Sequence, residues 1–278
     1  MPLTIYLNKN YIKVDGATFE ALLPGNLEGE GAFETMRSYD GKIFAFDDHM
    51  KRLKRGLKHF HMIIPLSGKQ ILWVINELSR RNKLKNARVR VIVWRHNNQK
   101  FISISCQPLK LPSSKKYKTG FNVMTARYGR SRQGKSDVKS IDYRMLRKIF
   151  REAQSKGFDE AVLLNGKGEI VEGTRTNVFF VHNGRLYTPA LGCGCLNGIT
   201  RQKVIQCARS RKIPVKAARA PLKQLMSCDE AFLTGSTLEV MPVRSVDGRP
   251  IGKGKTKKFT QAIQSAYRSL VRRELARR

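Results

Sequence analysis

The sequence predicts an α+β (α/β) protein of two domains, and three observations support this fold class. The chain has 278 residues, of which 41% are hydrophobic, so it can bury more than one modest core. Short runs of alternating apolar residues and longer runs with helical apolar spacing follow one another along the chain. A stretch rich in Pro, Ser and Lys interrupts them between residues 107 and 120. We predict a smaller N-terminal domain over 1–110, a linker over 111–120 and a larger C-terminal domain over 121–278.

The first predicted domain mixes strands with helices. We expect a hairpin around residues 8–10, then strands over 29–37 and 42–45 separated by the turn dipeptide Asp40-Gly41. Asp47-Asp48 is predicted to cap a helix, and a second helix covers 71–78. Strands over 89–94 and 101–105 complete the domain. Arg52 lies off the apolar stripe of its helix, and on spacing alone a solvated charge is the better interpretation.

The second predicted domain begins with a strand over 121–125 and a helix over 143–153. Four short strands between residues 161 and 187, punctuated by glycine turns such as Asn183-Gly184, predict a meander. Thr200 is the expected N-cap of the next helix. A short helix ending at Met226, strands over 231–233 and 240–243, and a terminal helix from Lys257 follow.

The composition limits the class of protein. The net charge of +33 suggests a polyanion partner, but the basic residues are spread along the chain. Neither zinc-ligand spacing nor an RNP-like aromatic motif is found, so we expect a generally basic surface and neither a metal nor nucleic acid. The N-terminus lacks a signal-peptide layout, and no apolar run approaches the roughly 20 residues of a membrane span. Five cysteines form no disulfide framework, which favours the cytoplasm.

Individual motifs narrow the chemistry only in part. Gly198-Ile199-Thr200 and Gly235-Ser236-Thr237 are glycine turns whose backbone N–H groups suit a phosphate, although capped helices after glycine are common. Lys139 is one of 54 basic residues, and composition does not select it. Glu172 stands beside Gly173, where an exposed carboxylate is the ordinary interpretation.

The order and spacing of these pieces are more specific. The segments 29–34, 49–53 and 243–248 resemble those of the class IV, or fold-type IV, pyridoxal-phosphate enzymes. This family contains branched-chain aminotransferases, D-amino-acid aminotransferases and 4-amino-4-deoxychorismate lyases. The resemblance implies a two-domain fold-type IV architecture like that of D-amino-acid aminotransferase. It also implies pyridoxal 5'-phosphate as cofactor and a homodimer.

The resemblance also implies site residues. Lys139 matches the lysine that forms an imine with the cofactor aldehyde and then shuttles a proton. Glu172 matches the carboxylate that keeps the pyridine nitrogen protonated. Arg52 matches the phosphate arginine, and Tyr143 resembles a tyrosine near the phenolic oxygen. The remaining cofactor-binding candidates are the two phosphate cups, formed by Ile199 and Thr200 and by Ser236 and Thr237.

Substrate choice is less constrained. Thr35 resembles a threonine that the lyases place over the cofactor, whereas residues 239–248 look more like a transaminase. The chain lacks the Arg-x-His carboxylate trap of the D-amino-acid enzymes. Candidates for the substrate carboxylate are Arg37, Arg88, Arg90, Arg95 and Arg175. We predict ping-pong transamination between a branched-chain-like or D-amino acid and a 2-oxo acid. The alternative is a lyase releasing pyruvate and 4-aminobenzoate, and a distant third is a basic nucleic-acid-binding protein.

Overall fold

The computed structural model describes residues 2–128, 138–252 and 257–277. The chain divides into two compact units. Unit 1 comprises Met1–Lys110, Asp137–Met145 and Glu274–Arg278, and unit 2 comprises Leu111–Ser136 and Leu146–Arg273. Each unit combines a β-sheet with helices, which confirms the predicted α+β class. Within the three described ranges, no helix is both long and apolar enough to cross a membrane.

Unit 1 is built on a six-stranded sheet in the order β2-β1-β6-β5-β3-β4. Every neighbouring pair in it is antiparallel. The strands are β1 (Leu3–Leu7), β2 (Asn10–Val14), β3 (Glu30–Tyr39), β4 (Lys42–Ile43), β5 (Ala87–His96) and β6 (Gln99–Pro108). The helices are α1 (Gly16–Ala21), α2 (Phe46–Lys58) and α3 (Gly68–Arg81).

The two faces of this sheet differ because successive side chains of a strand point to opposite sides. On one face Ala32 and Met36 of β3 join Val89 and Val91 of β5 in an apolar core. The apolar residues of α2 and α3 pack in the same core, which includes Leu53, Leu57, Ile71, Ile75 and Leu78. The opposite face of β3 therefore carries Phe33, Thr35 and Arg37.

The two larger helices of unit 1 begin differently. The N-cap of α2 is Ala45, which is left-handed (φ 53°) and makes no side-chain cap. The prediction that Asp47-Asp48 caps this helix was therefore wrong. Both aspartates lie in its first turn, where carboxylates favourably oppose the helix dipole. In α3, Ser67 and Gln70 form a reciprocal capping box.

The segment that contains Lys139 belongs to unit 1, although the sequence assigned it to the second domain. Its backbone pairs with β3, which explains the difference. The Phe33 amide donates to the Lys139 carbonyl (2.9 Å), and the Ile141 amide donates to the Gly31 carbonyl (3.1 Å). An antiparallel bridge joins Ala32 and Ser140.

Unit 2 contains a nine-stranded sheet. Its strands are β7 (Phe121–Arg127), β8 (Glu160–Leu164), β9 (Ile170–Gly173), β10 (Asn177–His182), β11 (Arg185–Pro189), β12 (Val215–Ala218), β13 (Glu230–Gly235), β14 (Glu239–Val246) and β15 (Arg249–Pro250). The helices are α4 (Ser114–Thr119), α5 (Arg144–Ser155), α6 (Ile199–Ser210), α7 (Leu222–Met226) and α8 (Lys258–Ala276), and α5 enters this unit at Leu146.

The predicted meander was wrong in its pairing, although its four strands exist. The main path of the sheet runs β12-β11-β10-β13-β14-β7-β8-β9, and β15 pairs with β14. Consecutive strands β9 and β10 are thus not neighbours, because β10 pairs with β11 and β13. Strand β9 instead pairs with β8 at the sheet edge. Glu172 near the end of β9 and Asn177 at the start of β10 thus flank the turn over 174–176 that joins these two strands.

Residues 111–120, the predicted linker, contain the short helix α4. The Ser113 side chain caps it by accepting from the Lys116 amide. Lys116 Nζ contacts both carboxylate oxygens of Asp159, at 2.9 and 2.7 Å. The interdomain boundary at this stretch stays a prediction.

Candidate active site

A buried charge cluster connects α2 to the packed face of β3 in unit 1. Glu34 is fully buried, and its two oxygens accept from Arg52 Nε and Nη2, both at 2.7 Å. Because a carboxylate only accepts, His49 Nδ1 donates the third hydrogen bond, also 2.7 Å long. His49 and Arg52 face the same way because they are three residues apart in a helix. The solvated position expected for Arg52 on spacing alone was wrong.

Opposing effects act on the Glu34 carboxyl. Burial alone raises its pKa, because the charged form loses its hydration. The charges of Arg52 and His49 and their hydrogen bonds outweigh burial and bring the pKa down to about 2. Glu34 is therefore a carboxylate at neutral pH, and it holds the guanidinium of Arg52 in a bidentate fork.

Lys139 is half-buried on the segment that pairs with β3. Its Nζ lies 4.8 Å from the centre of the Phe33 ring and 5.6 Å from that of Tyr143. The two rings meet edge to face with their centres 5.6 Å apart. Tyr143, which the sequence singled out, is buried. The structure therefore brings Lys139 and Tyr143 together through Phe33, which the sequence analysis did not assign to the site.

Three of the five candidate arginines share one face of the unit 1 sheet. Thr35 is opposite Arg90 and Arg37 is opposite Arg88 in the register of β3 and β5. Arg90 is buried with its guanidinium carbon 5.8 Å from the Phe33 ring centre, and Arg37 stacks at 4.3 Å on Tyr39. This face therefore concentrates positive charge beside the Thr35 hydroxyl.

The other two candidate arginines lie elsewhere. Arg95 has the opposite parity on β5, and its Nη2 is 3.0 Å from Glu30 Oε2 in a partly exposed ion pair. Arg175, in unit 2, is exposed and stacks at 3.4 Å on the Phe150 ring. Its Nε lies 3.9 Å from Glu160.

In unit 2, Glu172 stands at the end of β9 and is 6% exposed, so the exposed carboxylate expected from its neighbours was wrong. The Leu196 amide donates to Glu172 Oε2 at 2.9 Å, and Asn177 Nδ2 approaches the same oxygen at 3.4 Å. Asn177 Nδ2 also donates to the Leu196 carbonyl at 2.8 Å. Asn177 thereby fixes the segment that orients the carboxylate.

Helix α6 begins just after this segment. Its N-cap is Gly198, not the predicted Thr200, which is the second helical residue. No side chain caps the helix and no acidic residue lies in its first turn, although Ile199, Thr200 and Arg201 are buried. A Cβ at position 198 would lie 2.0 Å from Asn177 Oδ1, so only glycine fits. A buried, uncapped helix N-terminus is suited to bind an anion.

Ser236 and Thr237 lie in the turn between β13 and β14, where Gly235 is opposite Glu239. Both residues are half-buried. Glu239 has a positive φ of 60°, which closes the turn. Ser236 and Thr237 therefore lie in a hairpin turn, as the sequence predicted, and their role as a phosphate cup stays a prediction.

The sequence patterns assigned no role to Glu34, His49, Asn177 or Arg201. Arg201 is 5% exposed, and its Nη2 donates to the Pro189 carbonyl at 3.1 Å. Burial lowers its pKa, while the neighbouring Cys195 and Glu172 groups act in the opposite direction. Two features of the sequence could have indicated the charge cluster around Glu34. His49 and Arg52 have helical i, i+3 spacing, and Glu34 is a glutamate in the middle of a core-facing strand.

Comparison with known proteins identifies the family. The sequence model described as "Amino-transferase class IV" matches residues 31–246. The branched-chain-amino-acid aminotransferase of Pseudomonas aeruginosa is 31% identical over 265 residues, covering 87% of this chain and 84% of its own. The aminodeoxychorismate lyase of Bacillus subtilis is 30% identical over 283 residues, covering 96% and 94%.

A solved structure agrees with the fold. The branched-chain aminotransferase of the archaeon Thermoproteus uzoniensis, crystallised with norvaline, superimposes with a TM-score of 0.83. It is 28% identical, and the match covers 98% of this chain and 95% of that one. The predicted fold-type IV architecture is confirmed. The chain belongs to the class IV aminotransferases, a family of pyridoxal-phosphate-dependent transaminases.

Proposed function

We propose that this enzyme binds pyridoxal 5'-phosphate through Lys139, Glu172 and Arg52 and transfers amino groups from a branched-chain amino acid to a 2-oxo acid. The observation that carries the proposal is the position of Lys139, whose amine lies against the rings of Phe33 and Tyr143 in a half-buried setting. The branched-chain substrate is proposed from the named activities of the Pseudomonas aeruginosa and Thermoproteus uzoniensis relatives.

The donor set of the chain fits this cofactor. Arg52 supplies a guanidinium, and the uncapped start of α6 at Ile199 and Thr200 supplies backbone N–H groups, both suited to a phosphate. Ser236 and Thr237 are proposed as the second cup. Glu172 supplies a buried carboxylate, which suits a protonated ring nitrogen.

Each side chain then has a defined task. When bound, the cofactor supplies an aldehyde that accepts the amino group and a ring that takes up the electron pair left on the substrate Cα. Lys139 Nζ holds the aldehyde and moves the proton. Glu172 holds a negative charge at the ring nitrogen, Arg52 anchors the phosphate, and Tyr143 lies beside the lysine. Arg37, Arg88 and Arg90 are proposed to bind the substrate carboxylate.

The lyase reaction is the second candidate, and Thr35 favours it. This half-buried residue places a hydroxyl opposite Arg90 on the face that also carries Phe33. A hydroxyl there can donate a proton during elimination of pyruvate from aminodeoxychorismate. The Bacillus subtilis relative carries that activity in its name.

We also propose a homodimer in the cytoplasm. The dimer is proposed from the family resemblance, and light scattering of the purified enzyme tests it. All five cysteines are free thiols and buried, which supports a reducing compartment.

The first prediction concerns Lys139. We expect the wild-type protein to be yellow, and borohydride to fix the mass of the cofactor onto the peptide that contains Lys139. Lys139→Ala should lose at least about a thousandfold in turnover, since both the covalent link and the proton carrier are removed. The matched control Lys148→Ala changes an exposed lysine of α5 and should keep wild-type colour and rate.

The substrate is tested on the same preparations. Bleaching of the yellow band by L-leucine, with turnover when a 2-oxo acid is added, supports the transaminase. Bleaching by D-alanine favours the D-amino-acid enzymes, and pyruvate release from aminodeoxychorismate favours the lyase. Full turnover of Lys139→Ala, or colourless protein that does not take up added cofactor, contradicts the proposed function.

A further inference from the structure

The Glu34–Arg52–His49 cluster has a geometry that stability alone does not explain. Its three charged or polar side chains lie among apolar core residues, and all three are at most 3% exposed. Taking an ion pair out of water costs about as much as its attraction returns, so apolar residues of similar volume often stabilise a fold equally well. What the two-point contact between Glu34 and Arg52 supplies is a fixed orientation of the guanidinium.

Glu34 engages one edge of the Arg52 guanidinium. The carboxylate takes the Nε–H group and one N–H of Nη2, each at 2.7 Å. A guanidinium carries five N–H groups in a rigid plane, so the position of this edge also sets the direction of the three others. The hydrogen bond from His49 to the same carboxylate prevents Glu34 from turning with the arginine.

We infer that Glu34 is a positioning residue that fixes the Arg52 guanidinium for the cofactor phosphate. The inference rests on the proposed function, in which Arg52 binds that phosphate. Glu34 would not touch the cofactor itself. Because its charge offsets that of Arg52, affinity for the phosphate then depends on the direction of the remaining N–H groups rather than on net charge.

The variant Glu34→Gln tests whether phosphate affinity depends on the orientation of the Arg52 guanidinium or on the net charge of the cluster. Glutamine has nearly the same volume, but it offers one acceptor oxygen and places an NH₂ group against the donors of Arg52 or His49, so the fork is broken. The substitution also makes the cluster more positive by one charge. Simple attraction therefore predicts tighter phosphate binding, whereas loss of orientation predicts weaker binding.

The experiment titrates cofactor-stripped, full-length protein with pyridoxal 5'-phosphate and, separately, with pyridoxal, and follows absorbance and protein fluorescence. We expect Glu34→Gln to weaken pyridoxal-phosphate binding by at least about tenfold, the order of one lost charge-assisted hydrogen bond, and to change pyridoxal binding by less than twofold. Equal weakening for both ligands indicates a purely structural role and overturns the inference. Tighter binding or no change for pyridoxal phosphate overturns it as well.

Two further variants complete the design. Glu77→Gln removes a carboxylate that also pairs with arginines, Arg80 and Arg81 on the surface of α3, and should leave both affinities unchanged. Arg52→Lys tests the proposed function itself. If Arg52→Lys does not reduce the preference for pyridoxal phosphate over pyridoxal, Arg52 is not the phosphate residue. If Arg52→Lys reduces this preference but Glu34→Gln does not, Arg52 binds the phosphate and only the positioning role of Glu34 is contradicted. Should Glu34→Gln not fold, Glu34→Asp keeps the charge but is too short for the fork and must show the same selective loss.

Discussion

Two glutamates, both almost completely buried, have pKa values shifted in opposite directions, and their contacts explain why. Glu34 forms an ion pair with Arg52 and a hydrogen bond with His49, and its pKa falls to about 2. Glu160 is surrounded mainly by neutral donors, the hydroxyl of Thr174 and the backbone amides of Ala161 and Thr174. Burial raises the pKa of Glu160. The exposed Arg175 guanidinium, 3.9 Å away, and the hydrogen bonds lower it, but they do not outweigh the effect of burial. Burial alone therefore does not determine the charge of a site residue.

The pH dependence of stability follows from Glu34. Its folded pKa is below the ordinary value of 4.5, so its contribution is complete above about pH 4.5 and is lost as the pH falls toward about 2. The full shift corresponds to a loss on the order of 3 kcal/mol when the ionised carboxylate becomes protonated, which is the pH-dependent part of the stability and not the net worth of the ion pair. In Glu34→Gln this acid-dependent part should vanish from the free energy of unfolding of cofactor-free protein, measured by urea denaturation at a series of pH values.

A useful comparison is Glu160→Gln. The folded pKa of Glu160 is raised, so its contribution is present at low pH and is lost as the pH rises above the ordinary carboxyl value. Its removal should change the pH profile in the opposite direction. Parallel profiles for the wild type and Glu34→Gln would contradict the assignment of a depressed pKa.

At the scale of elements, the start of α6 and the end of β9 form one local structure. Asn177 connects them, because its Nδ2 contacts the Leu196 carbonyl and Glu172 while its Oδ1 lies against Gly198. The space that a side chain would occupy at residue 198 is already taken by this amide. The proposed phosphate cup and the proposed ring-nitrogen carboxylate therefore depend on the same asparagine.

We expect Gly198→Ala to be destabilising by about 2–3 kcal/mol, because the added Cβ must displace Asn177. The same displacement should weaken binding of pyridoxal phosphate. Thermal unfolding and cofactor titration measure the two effects. The control is Gly166→Ala, where nothing lies within 4 Å of the added carbon, and it should be neutral or slightly stabilising. Normal stability of Gly198→Ala would show that Asn177 moves freely.

Local patterns predicted most elements but not their partners. Strands β8 to β11 and helices α3 and α5 were predicted correctly, because apolar periodicity and turn residues are local properties. The neighbours of β10 depend on contacts with β13, about 50 residues away, and no local pattern encodes them. Burial of Arg52 and Glu172 was missed because the pattern of one element does not show which side chain of another element it contacts: Arg52 of α2 meets Glu34 of β3, and Glu172 of β9 meets Asn177 of β10. The roles of Lys139, Glu172 and the phosphate residues came from the family resemblance and stay predictions.

At the scale of the whole molecule, the net charge of +33 is the dominant property. Basic side chains outnumber acidic ones, 54 to 21, and many of them stay exposed on α2, α3, α5 and α8. Ion pairs such as Lys156 with Glu152 and Arg80 with Glu77 exist, but the acidic side chains are too few for every basic one to have an acidic partner of its own. Most cations therefore repel one another, and this repulsion opposes the compact state.

Salt should consequently stabilise the protein. Raising sodium chloride from about 0.05 to 0.5 M shortens the screening length from more than 10 Å to only a few ångströms, which weakens the repulsion between exposed cations. We expect the melting temperature of the cofactor-free enzyme to rise over this range. A sucrose series of matched viscosity is the control for general solvent effects. A fall in melting temperature would mean that attractive ion pairs outweigh the repulsion.

Strand β3 has one further consequence for engineering. It presents Glu34 to the apolar side of its sheet and Phe33, Thr35 and Arg37 to the other. An insertion or deletion of a single amino acid within it would exchange these two sets, sending the anchor carboxylate outward and a guanidinium into the hydrocarbon interior. Residues can therefore be added at turns such as Asn183-Gly184, where a Cβ at the glycine would meet no atom within 4 Å, but not within this strand.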